Sequence, residues 1–389
     1  MKFTMSGIAA LMMTAAPLMA GGIERAPQSL GILFEEGNYA ELSFGGVDPT
    51  VEGTDSLGFD TGDVAQGYGF VGLAYKQQFT PNISGAIIIE QPFGADVSYP
   101  AQSGLLPNPA EEGSLLLGNT RATVDSTTFT ALGRYKFDNN VSFHGGIRGS
   151  RAEGNVRLNG LAYGPLNGYE VDLDADTAVG WVAGVAWEKP EIAARVSLTY
   201  NSDIEHDFGT TESGPLIDVT GDGVGDLPLL NGSSSTKVST PKSWNLDFQT
   251  GVAPGTLVFG SIRWVDWSSF RVDPDAFTAL EPAGLVALED TTTFTIGVGR
   301  QFTEQWAGSA SFTYEKEGDD LVSPLAPTNG RKGITLAAVY TQDNIKVTTG
   351  INYTKLGDAN PETGTPDTER AQMEDSDAWG VGVRVGYSF

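Results

Sequence analysis

The chain ends in WGVGVRVGYSF, residues 379–389. Large side chains fill every second place: Trp379, Val381, Val383, Val385, Tyr387 and Phe389. Between them lie Gly380, Gly382, Arg384, Gly386 and Ser388. A strand sends successive side chains to opposite faces. One face here is therefore wholly apolar, and the other is nearly bare with room for an arginine. A soluble sandwich and a membrane-spanning sheet both satisfy this alternation, so the rest of the chain must separate them.

The alternation returns throughout. It predicts strands over 39–52, 66–79, 81–99, 119–137, 140–158, 172–188, 190–207, 237–251, 256–270, 291–302, 305–314, 331–342, 345–356 and 378–389. WAGSASFTY (306–314), for example, puts Trp306, Gly308, Ala310, Phe312 and Tyr314 on one face and small residues on the other. Short connections such as TPN (80–82), FDNN (137–140), EKPE (188–191), VAPGT (252–256), FTEQ (302–305) and TQDN (341–344) alternate strictly with long ones. The long ones fall near 53–65, 100–118, 159–171, 208–236, 271–290, 315–330 and 357–377. Tight turns at one rim and long loops at the other are the signature of an up-and-down barrel in an outer membrane. A Greek-key sandwich has no reason to show them. Only a closed barrel satisfies every backbone group of a strand in lipid. The expected fold is therefore an all-β, antiparallel, transmembrane barrel of about fourteen strands, with both termini at the short-turn, periplasmic rim.

Composition agrees. MKFTMSGIAALMMTAAPLMA (1–20) carries a lone early lysine, an apolar stretch over 8–16 and a small Ala20, which reads as a secretory signal peptide. No run of about 18 apolar residues follows, so no helical span is expected. The absence of cysteine excludes a disulfide framework, a thiolate metal site and a cysteine nucleophile. A formal charge of -26 argues against nucleic acid as a partner. Fifty glycines without a collagen period fit turns and closely packed strands. Most of the acid sits in the long connections, where Arg271, Lys316 and Arg370 are the only bases. Such a crown keeps loops soluble, and among anionic lipopolysaccharide it favours bridging divalent cations.

At this point the sequence resembles a family. STPKSWNLDFQTGVAPGTLVFGSIRWVDWSSF (239–270) is similar to the Pro-x-x-Trp strand, turn and Trp-Ser-x-Phe strand of the FadL/TodX hydrophobic-compound transporters. The likeness continues through TTTFTIGVGRQFTEQWAGSASFTYEK (291–316) to the terminal strand. At the front, IERAPQSLGILFEEG (23–37) resembles a shortened form of the family's plug, and YAELSFGGVDPTVEG (39–53) its first strand. The implied organisation is a signal peptide over 1–20, a plug segment over 21–38 and a barrel over 39–389. The resemblance also implies a monomer that passes hydrophobic molecules, long-chain fatty acids foremost. Its ligand is captured among the outer loops, held in the lumen and released sideways at a kinked third strand. Phe389 looks like the terminal aromatic read by the barrel-assembly machinery.

The residues supply candidates for each step. SGLLPNPAEEGSLLLG (103–118), GDLPLLNG (225–232) and AFTALEPAGLVALED (276–290) place apolar clusters in outer loops, as a capture groove or as small loop cores. Each buried methylene is worth about 0.8 kcal/mol, and an arginine–carboxylate hydrogen bond roughly 1.5–3 kcal/mol. Tail burial thus supplies the affinity and a single arginine the orientation. Phe259 and Trp267 share the parity of Arg263 and are candidate apolar wall. Arg157 and Arg271 lie where the family also places bases and are candidates for the carboxylate. Arg148, Arg195 and Arg384 share the inward parity and stand in reserve.

Within the third strand, Gln91-Pro92-Phe93-Gly94 breaks the pattern. Proline cannot donate to a ladder and a closed barrel has no edge. Pro92 and Gly94 therefore mark a bulge or kink, and the candidate lateral gate. No enzyme is expected, because His144 and His206, the only histidines, show no serine–acid partnership. The rival function is a porin for small polar solutes, whose lumen would be open and polar. One motif stands apart. IDVTGDGVGD (217–226) offers Asp218, Asp222 and Asp226 in an order that resembles a calcium loop, with Thr220 in place of the usual Asn and no closing Glu. A plain acidic turn is the alternative. No other cofactor is expected.

Overall fold

Period-two sequence becomes a single closed sheet. The computed structural model describes residues 22–26, 28–104, 106, 111–217, 225 and 227–389. Its staves are β1 (Tyr39–Thr50), β2 (Tyr68–Gln78), β3 in two pieces (Ile83–Glu90 and Gly94–Ser98), β4 (Arg121–Lys136), β5 (Val141–Leu158) and β6 (Tyr169–Lys189). Then come β7 in two pieces (Ala194–Asn201 and Ile204–Ser213), β8 in two pieces (Gly232–Thr240 and Ser243–Ala253), β9 (Thr256–Val265) and β10 (Thr291–Gln301). The last are β11 (Trp306–Glu315), β12 (Asn329–Gln342), β13 (Ile345–Gly357) and β14 (Asp377–Ser388). Each stave pairs antiparallel with the next, and β14 closes on β1 from Tyr39↔Ser388 to Thr50↔Asp377. The result is a closed barrel of 14 strands.

Closure leaves no edge, so the two faces of every stave meet different media. On β14, Trp379, Val381, Tyr387 and Phe389 are exposed on the outside, while Ala378 is fully buried inside. Aromatic rings group at the two ends of this apolar belt, as the membrane interfaces favour. Trp181, Tyr200 and Trp244 stack in a row toward the loop end, beside Tyr353 on Trp379. Tyr135 with Phe137 and Trp306 with Tyr340 do so toward the turn end. No described helix is long and apolar enough to cross a membrane, and the crossing belongs to the strands. At the turn end, Gly255 holds φ +66° between β8 and β9, a left-handed conformation that glycine adopts without strain.

The staves depart from the sequence expectation at their loop ends. The seventh and eighth run on to Ser213 and start at Gly232, so the loop between them is shorter than its acidic sequence suggested. β9 stops at Val265 and passes into a single 3-10 turn, Trp267–Ser269, rather than continuing to residue 270. The loops fold over the barrel mouth. Gly53–Asp55 pairs with Ala371–Met373, Arg271–Val272 with Val286–Ala287, and Leu321–Val322 with Asn360–Pro361. Their apolar residues divide: Leu116, Leu117, Phe277, Leu285 and Val286 are buried in small cores, whereas Leu106, Leu227 and Leu280 are exposed. Two buried carboxylates pin these loops. Asp55 accepts from the backbone N–H of Leu57, Phe59, Leu115 and Leu116 and from the Ser114 hydroxyl. Glu212 accepts from Tyr169 and from the N–H groups of Ala276 and Phe277.

Candidate functional site

The wall has one interruption that matters for a lumen. β2 pairs with β3 only from Leu73↔Ile89 to Gln78↔Ser84. Above that level its residues 68–72 pair with β1 alone, and Gly94–Ser98 pairs with β4 alone. Pro92 has no N–H to offer, so the ladder fails where the sequence placed its break. Pairing resumes higher up, where Gln66 N–H donates to Asp96 and Ala65 bridges Val97. Between these levels the β2–β3 seam lacks ladder hydrogen bonds.

Residues 22–26 cross this seam from the lumen side as a short strap. Arg25 N–H donates to Pro92 O (2.7 Å), Ala26 N–H to the same oxygen (3.2 Å), and Gly94 N–H to Ile23 O (2.9 Å). Glu24 and Phe93 are bridge partners, so the strap replaces part of the missing ladder. Gly22 lies flat on the Trp267 indole, where an added Cβ would come within 2.3 Å of the ring. Extended backbone sends neighbouring side chains opposite ways, and here each has a partner. Glu24 turns inward and forms a bidentate ion pair with Arg263 of β9. Arg25 turns into the seam, over the Tyr68 ring (4.4 Å) and 3.6 Å from Asp125. Asp125 belongs to the outward face of β4, alternating with buried Ser126. A Cβ at Gly94 would lie 2.6 Å from this guanidinium, so a larger residue there displaces the Arg25 side chain.

The strap divides two environments. Above it, Ile23, Phe93, Ala95, Phe208, Val265 and Trp267 belong to one apolar cluster that continues into the loops. The Trp267 ring meets Phe93 and Phe270 edge-on at 5.9 and 6.0 Å. Below it lies a cavity of about 840 Å³ whose lining includes Lys76, Glu90, Arg134, Arg195, Asp247 and Arg384. The remaining N-terminal residues are tied down here. Lys76 donates to the carbonyls of Glu35 (2.6 Å) and Gly37 (3.0 Å), and Arg134 to that of Leu33 (3.0 Å). Lys346 holds the Glu35 carboxylate at 2.8 and 2.9 Å. Phe34 lies between the guanidinium groups of Arg134 (4.6 Å) and Arg195 (4.3 Å).

The residues singled out from sequence do not form one site. Pro92 and Gly94 sit at the seam and Trp267 beside it. Phe259 is buried near the turn end with Leu257, Ala307 and Val339, a separate cluster. Arg157 has outward parity on β5, where His144, Arg148, Ser150 and Ala152 are the buried positions. It is exposed and bound to Glu170 at 2.8 and 2.9 Å. Arg271 lies in an outer loop, held by Asp273 (2.9 and 3.0 Å) and by the carbonyl of Ala283 (2.6 Å). Neither reaches the lumen cavity. Of the reserve arginines, Arg148 is buried in the lumen, Arg195 packs on Phe34, and Arg384 pairs with Glu41 (3.3 Å). His144 meets Thr199 (3.0 Å) and His206 meets Asp176 (3.0 Å). Phe389 lies on the exposed face beside Tyr75 and Tyr387. Asp218, Asp222 and Asp226 lie outside the described residues, as do residues 1–20. Among the described residues no cluster of His, Asp or Glu has metal-holding geometry. Sequence reading passed over Glu24 and Arg25, whose one visible signal is an adjacent acid and base in an otherwise uncharged stretch.

Comparison with known proteins places this architecture. No curated sequence relative is found. The structure is similar to that of a FadL homologue from Pseudomonas aeruginosa, with TM-score 0.71 at 14% identity over 99% of this chain and 98% of that one. It is also similar to the toluene transporter TodX of P. putida (TM-score 0.64, 14% identity, 91% and 90% covered). The toluene transporter TbuX of Ralstonia pickettii follows (TM-score 0.61, 13% identity, 100% of each chain). The signature of the outer-membrane transport proteins (OMPP1/FadL/TodX) matches residues 16–389, and the chain belongs to that family of the outer membrane.

Proposed function

We propose that the protein takes up hydrophobic molecules, long-chain fatty acids foremost, and releases them sideways through the β2–β3 seam. The observation that carries this reading is a coincidence of level. The seam lies between the apolar cluster around Trp267 and a lower cavity whose lining mixes Lys76, Arg134, Arg195 and Arg384 with apolar Ile32, Phe34, Phe70 and Ile88. Each methylene moved from apolar contact into water-lined space loses about 0.8 kcal/mol. Lipid beyond the seam buries an acyl chain along its whole length, whereas the mixed lining below buries it only in part, and this favours exit at the strap. Exposed Leu106, Leu227 and Leu280 on the loops suit capture, and Phe93 and Trp267 form the last apolar surface before the exit. Residues 22–38 act as the plug, with the part after Leu30 fixed to the wall and the strap closing the seam. Phe259, below the strap, is off this route, and neither Arg157 nor Arg271 meets the ligand in the lumen.

The porin reading is less well supported, because the strap and the apolar cluster both obstruct a polar solute. We read the protein as a monomer seated in lipopolysaccharide, with calcium at Asp218, Asp222 and Asp226 as the one cofactor candidate. Proteoliposomes test the main reading. Labelled oleate is expected to enter the bilayer faster than in protein-free vesicles, with no accelerated entry of glucose. The variant Pro92→Val restores the missing N–H to the broken ladder. It is expected to stop oleate transfer while oleate still binds the purified protein. Rapid glucose entry without oleate transfer would establish the porin instead.

A further inference from the structure

Glu24 and Arg263 have a geometry that reaches beyond closing a seam. Arg263 is built as a receptor for a carboxylate. Its Nη1 donates to Ser243 Oγ (3.0 Å) and to Asn245, which fixes the plane of the guanidinium. The Nε and Nη2 edge is thereby aimed at a single carboxylate, and the fork geometry of arginine suits both oxygens. Its side chain is 9% exposed, and Asn245, to which it donates, lines the cavity below. The carboxylate now in the fork belongs to the N-terminal strap, not to a neighbouring stave.

We infer that Arg263 is a binding site for the carboxylate of an amphiphilic ligand, occupied at rest by Glu24 as an internal stand-in. This rests on the transport reading and names the ligand class for it: an anion with an apolar tail, in preference to a neutral hydrocarbon. The tail packs against the apolar cluster that holds Ile23, Val265 and Trp267, of which Ile23 precedes Glu24 and Val265 lies two residues beyond Arg263, while the headgroup takes the fork. Val265 and Arg263 share the inward face of β9, so tail and head contacts come from one strand. The next residue makes the consequence specific. Glu24 and Arg25 point to opposite sides of the same extended segment, so drawing Glu24 from its fork also withdraws Arg25 from Tyr68 and Asp125. A neutral ligand has no group that competes with Glu24.

The test compares oleate with oleyl alcohol, which share a tail and differ in the head. Binding of each to the purified full-length protein in detergent is measured by calorimetry, for the unaltered protein and for Glu24→Gln. A tethered competitor lowers apparent affinity by the fraction of sites it leaves free. Removing its charge is expected to tighten oleate on the order of tenfold and to leave oleyl alcohol unchanged. Arg263→Gln is expected to bring the two ligands to equal affinity, and Arg263→Lys, which keeps charge without the fork, to restore part of the preference. If Arg263→Gln does not fold, the Glu24→Gln ratio decides alone. Both ligands binding with a ratio that Glu24→Gln leaves unmoved would overturn this inference and spare the transport reading. Neither ligand binding would overturn both.

Discussion

The proposed route through this barrel depends on single side chains at one height. Trp267 and Phe93 present carbon toward the strap, and Arg25 and Glu24 present charge on either side of it. An exposed ion pair is worth little, and a desolvated one costs nearly as much as it returns. The Arg25–Asp125 contact, at 3.6 Å with Asp125 largely exposed, is thus a fastening that opens at small cost. Phe389 is the proposed assembly signal. Its ring sits on the lipid face beside Tyr75 and Tyr387, and its N–H bonds Asn38 O (3.1 Å). Those contacts are few for so large a residue, which fits a side chain kept for recognition during assembly. Deleting Phe389 is expected to reduce the folded, heat-modifiable band in outer-membrane fractions several-fold. An unchanged band would leave it an ordinary lipid-facing residue.

Among the elements, the staves form from alternation while the loops depend on buried carboxylates. Asp55 satisfies donors on its own loop and on residues 114–116 across the mouth. Removing a shared acceptor strands buried donors at about 1–3 kcal/mol each. Asp55→Ala is therefore expected to speed proteolytic clipping of the outer loops on intact cells, with the barrel's heat-modifiability unchanged. Clipping at the original rate would mean the apolar loop cores suffice alone. This contrast also explains what the sequence disclosed. Fourteen staves were legible because period two and two kinds of connection recur along the whole chain. The break at Pro92 was legible because proline has one physical meaning in a ladder. The outward face of Arg157 is legible too, since it sits on the opposite parity from Arg148 on β5. The Glu24–Arg263 pair was not legible. Its partners are 239 residues apart, and no alternation of the kind that marks the staves runs through the sequence around Glu24.

At the scale of the molecule, the barrel carries an apolar cluster around Trp267 above a cavity of mixed lining, and its wall lacks ladder bonds between them. On the proposed route, transport needs no moving domain, only a strap that leaves the seam. The choice between sideways release and passage to the periplasmic rim is the central claim, and photolabelling addresses it directly. An oleate carrying a diazirine near its tail would be irradiated during uptake into proteoliposomes, and the labelled peptides mapped by mass spectrometry. The account predicts labels on residues 68–72 and 90–94 along the seam, with Trp267 above it. Labels concentrated instead on the lower lining, at Pro81, Asn82 and Asn344, would contradict it and send the ligand out through the periplasmic end.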